Sequence, residues 1–225
     1  LGWERPSPVQ GIAVPLARQG IDVVVQAQTG TGKTGAFGIP LIEGVGAHGS
    51  DEEAVGRALV MCPTRELARQ VAAELDLLGA RRGASCAVVY GGVGYEKQVQ
   101  DLRSKPFVVG TPGRILDLAR RRKLDLGRIR HFILDECDEM LSMGFMEDIL
   151  EVIKRLPDKR DRQTMLFSAT VTPEIRHLAG SLLNEPEFVD VSSDQVAAES
   201  VHHTYYPVSA MGRLGDLARV LAKEA

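Results

Sequence analysis

The run Ala27-Gln28-Thr29-Gly30-Thr31-Gly32-Lys33-Thr34 directly follows an apolar stretch at residues 21–25. An apolar strand, a glycine-bearing loop and Lys-Thr opening a helix form the layout that wraps a nucleoside triphosphate. Gly30 and Gly32 can turn several backbone N–H groups toward one point, and the helix behind them adds its positive end. Lys33 can reach the β- and γ-phosphates, and the Thr34 hydroxyl can ligate Mg²⁺. Ala27 stands where the general G-x-x-x-x-G-K-S/T pattern begins with glycine, so an accidental glycine-rich turn is the alternative for this run alone. Roughly a hundred residues later, Phe132-Ile133-Leu134 leads into Asp135-Glu136. Asp135 can hold Mg²⁺ through its water shell, and Glu136 can polarise a water for attack on the γ-phosphate. Unpaired carboxylates are costly to bury, so two acids closing an apolar strand need a purpose beyond opening a solvated loop. Paired with Lys33 and Thr34, they point to hydrolysis of a triphosphate as well as binding. Lys33, Asp135 and Glu136 are the catalytic candidates, with Thr34 and Asp135 as metal ligands.

The elements that must position these groups follow a regular order. Strand candidates at residues 21–25, 58–62, 85–90, 107–109, 131–134, 164–167 and 187–191 alternate with helical patterns at 65–78, 113–121, 146–155 and 173–183. Most strand runs are continuously apolar, as expected for a parallel sheet buried on both faces. Leu67, Val71, Leu75 and Leu78 fall at helical spacing, and Pro173 suits a first turn after Thr172. The repeated strand–helix order predicts a doubly wound α/β sheet with right-handed crossovers. Such sheets bind ligands beyond the carboxyl ends of their strands. Residues 47–53 read as a polar loop and residues 192–200 as a linker. One further strand at 201–208 and one helix at 211–223 cannot bury a core of their own. The expected organisation is therefore a domain over 1–191, the linker 192–200, and the truncated start of a second domain over 201–225. A first residue of leucine suggests truncation at that end as well.

At 225 residues, 44% hydrophobic and 25% charged, the chain has the composition of an ordinary globular protein. Cys62, Cys86 and Cys137 lack C-x-x-C spacing, which argues against zinc or a disulfide framework and for a reducing, cytoplasmic setting. No segment approaches the ~18 apolar residues of a membrane span. With a net charge of −3, any polynucleotide must be held by a few placed groups rather than by bulk attraction. Arg120-Arg121-Arg122-Lys123 reads either as one such patch or as a solvated helix end complementing the C-terminal dipole; the second reading is preferred.

Asp135-Glu136-Cys137-Asp138 resembles the signature of the DEAD-box family of ATP-dependent RNA helicases, with cysteine in place of alanine. Further segments match in the family's order. Pro6-Ser7-Pro8-Val9-Gln10 resembles its adenine-reading Q motif, and residues 27–34 resemble its phosphate loop, which itself begins with alanine. Pro63-Thr64-Arg65, Gly91-Gly92 and Thr111-Pro112-Gly113-Arg114 resemble its RNA-contacting segments, and Ser168-Ala169-Thr170 its coupling motif. The resemblance implies a RecA-like P-loop NTPase domain, a mostly parallel sheet of about seven strands with helices on both faces. It implies ATP and Mg²⁺ as ligands, held by Gln10 and by Ala27, Gln28, Thr29, Gly30, Thr31, Gly32, Lys33 and Thr34. It implies backbone contacts to single-stranded RNA with little sequence preference, made by Pro63, Thr64, Arg65, Gly91, Gly92, Thr111, Pro112, Gly113 and Arg114. Asp138, Ser168, Ala169 and Thr170 are then assigned to coupling hydrolysis to strand separation.

The residues allow simpler readings beside these: Gln10 as a surface glutamine starting a helix, and Thr64, Thr111 and Ser168 as helix caps. The family's aromatic residue upstream of the Q motif has no counterpart, because Trp3 lies too close to Gln10. The resemblance also implies a second RecA-like domain that supplies arginine fingers and the other half of the RNA groove. The chain alone is thus expected to be a monomer, nearly inactive without that domain. A non-catalytic nucleotide- or RNA-binding module and a DNA-directed relative of the same superfamily are the alternative functions.

Overall fold

A computed structural model describes residues 5–46 and 57–191, together with positions 215, 216, 219 and 222. The elements are α1 (Pro8–Arg18), β1 (Val23–Gln26), α2 (Lys33–Gly46), β2 (Ala58–Met61), α3 (Arg65–Gly79), β3 (Cys86–Val89), α4 (Glu96–Leu102) and β4 (Phe107–Gly110). They continue with α5 (Pro112–Arg120), β5 (His131–Leu134), α6 (Cys137–Ser142), α7 (Met146–Ile153), β6 (Gln163–Ser168), α8 (Pro173–Leu182) and β7 (Glu187–Asp190). The strands form one sheet in the order β3-β4-β2-β5-β6-β1-β7. Every pairing is parallel. The doubly wound sheet expected from the sequence is present, with all seven strands. β7 departs furthest from the apolar, buried pattern: of its residues Val189 alone is buried, as suits a strand at the sheet's edge.

Alternate strand residues serve opposite faces. Val23, Val25, Val60, Val109, Ile133 and Phe167 pack with Phe37 and Leu41 of α2 and Val71 and Leu75 of α3. Val24, Leu59, Met61, Val108, Phe132 and Leu166 pack with residues of α5, α7 and α8 on the other side. Phe37 meets Phe167 edge-to-face, with ring centroids 5.3 Å apart. Burying such a ring contributes about 1.5–3 kcal/mol, enough to pin α2 against β6 and so fix the direction in which Lys33 leaves the helix.

The strand order divides the carboxyl edge of the sheet in two. β1, β5 and β6 are neighbours, and beyond them lie the glycine loop, Asp135-Glu136 and Ala169-Thr170. β2, β4 and β3 are neighbours on the other side, leading into Pro63-Thr64-Arg65, Thr111-Pro112 and Gly91-Gly92. Gly110 holds the second group together, because a Cβ there would sit 2.2 Å from the Val89 carbonyl oxygen on β3. Gly110→Ala is accordingly expected to lower stability by about 3 kcal/mol, at the upper end of overpacking costs, read as a drop in the urea midpoint.

The chain divides into two compact units, Leu1–Ser192 and Ser193–Ala225. The first holds every element named above. In the second, Arg219 and Asp216 pair at 3.5 Å within helical backbone. The expected loop at 47–53, linker at 192–200 and strand at 201–208 lie outside the described residues, as does most of the helix expected at 211–223.

Candidate functional site

β1 delivers the chain to the glycine loop, and the sheet ladder carries on one residue further, with the Ala27 N–H donating to the Ser168 carbonyl at 2.9 Å. Ala27 is fully buried, with its methyl in the core beneath the sheet's carboxyl edge, which is why alanine serves where the general pattern has glycine. The positive backbone angles fall on Gly30 (φ 83°) and Gly32 (φ 92°), the conformation only glycine adopts without strain. The Thr31 hydroxyl braces the loop by donating to the Gln28 carbonyl at 2.7 Å. Gln10 of α1 donates from its amide to the Gly32 carbonyl at 3.1 Å and accepts from the Ser7 N–H at 3.0 Å. It thus joins the first helix to the loop.

Lys33 and Asp135 face each other across β1 and β5, each nearly excluded from solvent. Their Nζ and Oδ1 atoms lie 4.0 Å apart, close enough for charge attraction but too long for a hydrogen bond. Neither atom has a hydrogen-bond partner among the described residues. Burial pushes the Asp135 carboxyl up to about 6, against the pull of Lys33 and with added repulsion from Glu136. A buried ammonium and carboxylate that leave hydrogen-bonding capacity unused are expensive, and a polar guest would relieve both. Glu136 sits at φ 55°, ψ 54°, a left-handed conformation that costs a non-glycine residue about 1–2 kcal/mol. That turn brings its carboxylate to the loop, where it accepts from the Thr29 hydroxyl at 3.1 Å.

Asp138, at the start of α6, reaches toward the end of β6. Its Oδ2 accepts from both the backbone N–H and the hydroxyl of Thr170, each at 3.0 Å. The Asp138 N–H donates to the Ser168 hydroxyl at 3.2 Å. Burial alone would raise the Asp138 carboxyl; bonds from Ser168, Thr170 and Ala169 outweigh it and hold the group below its usual value. A depressed carboxylate stabilises the fold above its ordinary pKa, and that stability is lost as pH falls through the depressed value. Thr170→Val is therefore expected to cost about 1 kcal/mol at pH 7. The difference from wild type should shrink in denaturation curves measured at acid pH, where Asp138 is protonated in both.

On the other half of the edge, Pro63, Thr64, Arg65, Gly91, Gly92 and Thr111 line one open cavity of about 430 Å³. Thr64 caps α3 by accepting from the Leu67 N–H at 3.1 Å, whereas Thr111 makes no side-chain cap and keeps its hydroxyl free of the helix. Pro112 is buried as the first residue of α5, and Gly113 is exposed behind it. Arg114 turns away from the cavity: its guanidinium donates to the Val93 carbonyl and the Gln98 amide oxygen, and lies 4.4 Å from the Tyr95 ring centroid. A larger cavity, about 700 Å³, runs along the edge strand β3. There, side chains of Asp76, Lys105 and Gln98 satisfy outward backbone groups of Cys86 and Tyr90, which blunts the edge against strand pairing.

A sequence model described as "DEAD/DEAH box helicase" matches residues 7–178, the span that holds both halves of this edge. The chain belongs to the DEAD/DEAH box helicase family. It is 44% identical over 221 residues to the DEAD-box ATP-dependent RNA helicase CshA of Streptococcus pneumoniae serotype 4, covering 98% of this chain and 41% of that protein. To the CshA of Geobacillus kaustophilus it is 43% identical, covering 100% of this chain and 47% of that protein. The chain thus spans less than half the length of these curated relatives. The crystal structure of a DEAD box protein from the hyperthermophile Methanococcus jannaschii superposes with a TM-score of 0.78 at 37% identity, over 98% of this chain and 58% of the other. The fold is the RecA-like domain of this helicase family.

Some residues at this edge carry no mark in the sequence. Beside Glu66 of α3, the cavity's wall is completed by Met143, 47% exposed, and Phe145, both from the turn after α6. They belong to no periodic stretch and offer no signal beyond following Asp135-Glu136. Thr29, one of the loop residues expected at the phosphates, also meets Glu136 through its hydroxyl. Cys137 is buried, and burial pushes its thiol up to about 12, consistent with a packing residue and not a nucleophile. Among the described residues no cluster of three or more His, Cys, Asp or Glu could hold a metal alone, and no helix is long and apolar enough to cross a membrane.

Proposed function

We propose that this chain is the nucleotide-binding half of a cytoplasmic, ATP-dependent RNA helicase motor. One observation carries the reading: Lys33 Nζ and Asp135 Oδ1 are buried, 4.0 Å apart and without hydrogen-bond partners, beside a loop whose two glycines turn left-handed. The donor set fits a triphosphate with a divalent cation. Loop N–H groups and Lys33 hold phosphate oxygens, while the Thr34 hydroxyl and the Asp135 carboxylate offer the hard oxygen ligands that Mg²⁺ prefers. When bound, Mg²⁺ supplies positive charge that offsets the negative charge of the β- and γ-phosphates.

Glu136, held toward the loop by Thr29, takes the role of orienting water for attack on the γ-phosphate. Gln10 keeps one amide N–H and one oxygen lone pair beyond its bonds to Gly32 and Ser7, the pair needed for the N6/N7 edge of adenine. The cavity of Thr64, Arg65, Gly91, Gly92 and Thr111 takes a sugar-phosphate backbone, with Met143 and Phe145 as an apolar side. Arg114 supports that surface by bracing the segment from Val93 to Gln98 rather than by lining it. Asp138 and Thr170 tie the hydrolysis segment to β6 and pass its movement on. RNA as the polymer, and a second RecA-like domain that completes the charge around the transition state, come from the family relationship.

The test is ATP turnover by this chain with and without single-stranded RNA. Saturable ATP binding with turnover near background in both conditions is expected. Robust RNA-stimulated turnover by the chain alone would overturn the assignment of half a site.

A further inference from the structure

α5 joins two surfaces. It begins at Pro112, directly after Thr111 of the proposed RNA cavity, and ends at Arg120, nine residues beyond Thr111, a run of about 14 Å at about 1.5 Å per residue. The helix closes with a defined turn. The Arg122 N–H donates to the Ala119 carbonyl at 3.0 Å and the Lys123 N–H to the Leu118 carbonyl at 2.9 Å. Leu124 packs beneath the turn in the same core cluster as Leu118. This is the helix ending whose left-handed position is usually glycine. Here that position is Arg122, at φ 54°.

The acids near this turn are already engaged. Asp117 accepts from Arg121 at 2.8 Å, and Asp125 accepts from the Gly127 N–H at 3.0 Å. Arg120, Arg122 and Lys123 are exposed, and their side chains have no hydrogen-bond or ion-pair partner among the described residues. Complementing the helix dipole does not require an arginine at a strained backbone position. Glycine would stabilise this turn better, so the side chain is retained at a cost to the fold.

We propose that Arg120, Arg122 and Lys123 form a second RNA-binding surface, which grips the sugar-phosphate backbone of the same strand after it leaves the cavity at the other end of α5. This rests on the RNA-binding role proposed above for the cavity. A polymer lying against Thr111 needs to extend only the length of α5 to reach the turn. Three free cations on a fixed turn, in a chain whose net charge is −3, suit a backbone read without regard to base.

Fluorescence anisotropy of the 225-residue chain tests this with two single-stranded RNAs, of about 5 and about 16 nucleotides, the range of single-strand site sizes. In the triple variant Arg120→Gln, Arg122→Gln and Lys123→Gln, affinity for the longer RNA should fall about 10-fold at low salt. The slope of its affinity against salt should drop by about 2, at about 0.7 for each phosphate that the variant no longer neutralises. Affinity for the short RNA should stay within about two-fold of wild type. Arg122→Gly alone should raise Tm while weakening the longer RNA. An equal loss for both RNAs, no loss for the longer one, or a lower Tm for Arg122→Gly overturns the proposal. Poly-glutamate displacing the longer RNA at equal charge overturns it in favour of an acidic protein partner. Wild-type binding of the longer RNA alone, lost in the triple variant, supports the turn and sinks the cavity assignment. Binding of neither RNA overturns both.

Discussion

Replacing Lys33 by alanine is expected to lower affinity for ATP·Mg²⁺ by about 10²-fold, measured by calorimetric titration. Lys33 Nζ is buried without a hydrogen-bond partner among the described residues, so its bonding capacity is free for a phosphate oxygen. A charge-assisted hydrogen bond of that kind contributes about 1.5–3 kcal/mol, and about 2.7 kcal/mol corresponds to a factor of 10². The variant also leaves the Asp135 carboxyl, already held at about 6 chiefly by burial, without its nearest cation. Loss of that attraction should push Asp135 further toward its neutral form, which weakens it as a metal ligand. Lys33→Ala should therefore reduce the dependence of nucleotide binding on Mg²⁺ as well as the binding itself. An affinity within two-fold of wild type would remove Lys33 from the site.

Glu136→Gln should have the opposite signature. ATP affinity is expected to remain within about two-fold of wild type, while single-turnover hydrolysis with the complementing second domain present falls by about 10²–10⁴, the usual contribution of a positioned base. The substitution keeps an oxygen where Glu136 Oε1 accepts from Thr29, so the side chain should stay in place. It removes the negative charge proposed to orient water. The strained conformation at φ 55° is unchanged by this swap, so a fall in rate without a fall in Tm isolates the chemistry from the backbone. Undiminished hydrolysis would assign Glu136 a structural role.

The strands are legible in the sequence because parallel strands buried on both faces read as unbroken apolar runs. Their ends move by a residue or two where pairing extends onto residues with no apolar side chain: Gly110 at the end of β4 and Ser168 at the end of β6. Strand order is beyond the sequence, since it depends on which crossovers pack beside which. The division of the edge into β1, β5, β6 and β2, β4, β3 therefore emerges only in three dimensions. The left-handed turns of the loop are legible in Gly30 and Gly32, and Ala27, where the general pattern has glycine, is accommodated with its methyl buried. Hydrogen bonding between Asp138 and Thr170, expected from residue types, is present as two bonds.

Arg114 is less legible. Its type and place after Thr111-Pro112-Gly113 suit a phosphate contact, yet a cation beside an aromatic ring and two carbonyl oxygens finds better partners at home. The loop that supplies Val93 and Tyr95 has no periodicity, so nothing local announces them. The basic run at Arg120 likewise reads as a helix end, and it is one. Only the backbone angle at Arg122 marks it as a helix end that glycine would make more comfortably.

The central claim is that Lys33 and Asp135, buried 4.0 Å apart and short of hydrogen bonds, are receptors for the phosphate end of a nucleotide rather than a structural ion pair. Calorimetric titration of the chain with ATP, ADP and AMP in Mg²⁺ tests it most directly. ATP and ADP should bind at least about 10²-fold more tightly than AMP, whose phosphate is too close to the sugar to reach the pair, and the Lys33→Ala variant should erase that preference. Equal affinities for all three nucleotides, or a preference that survives Lys33→Ala, would contradict the account.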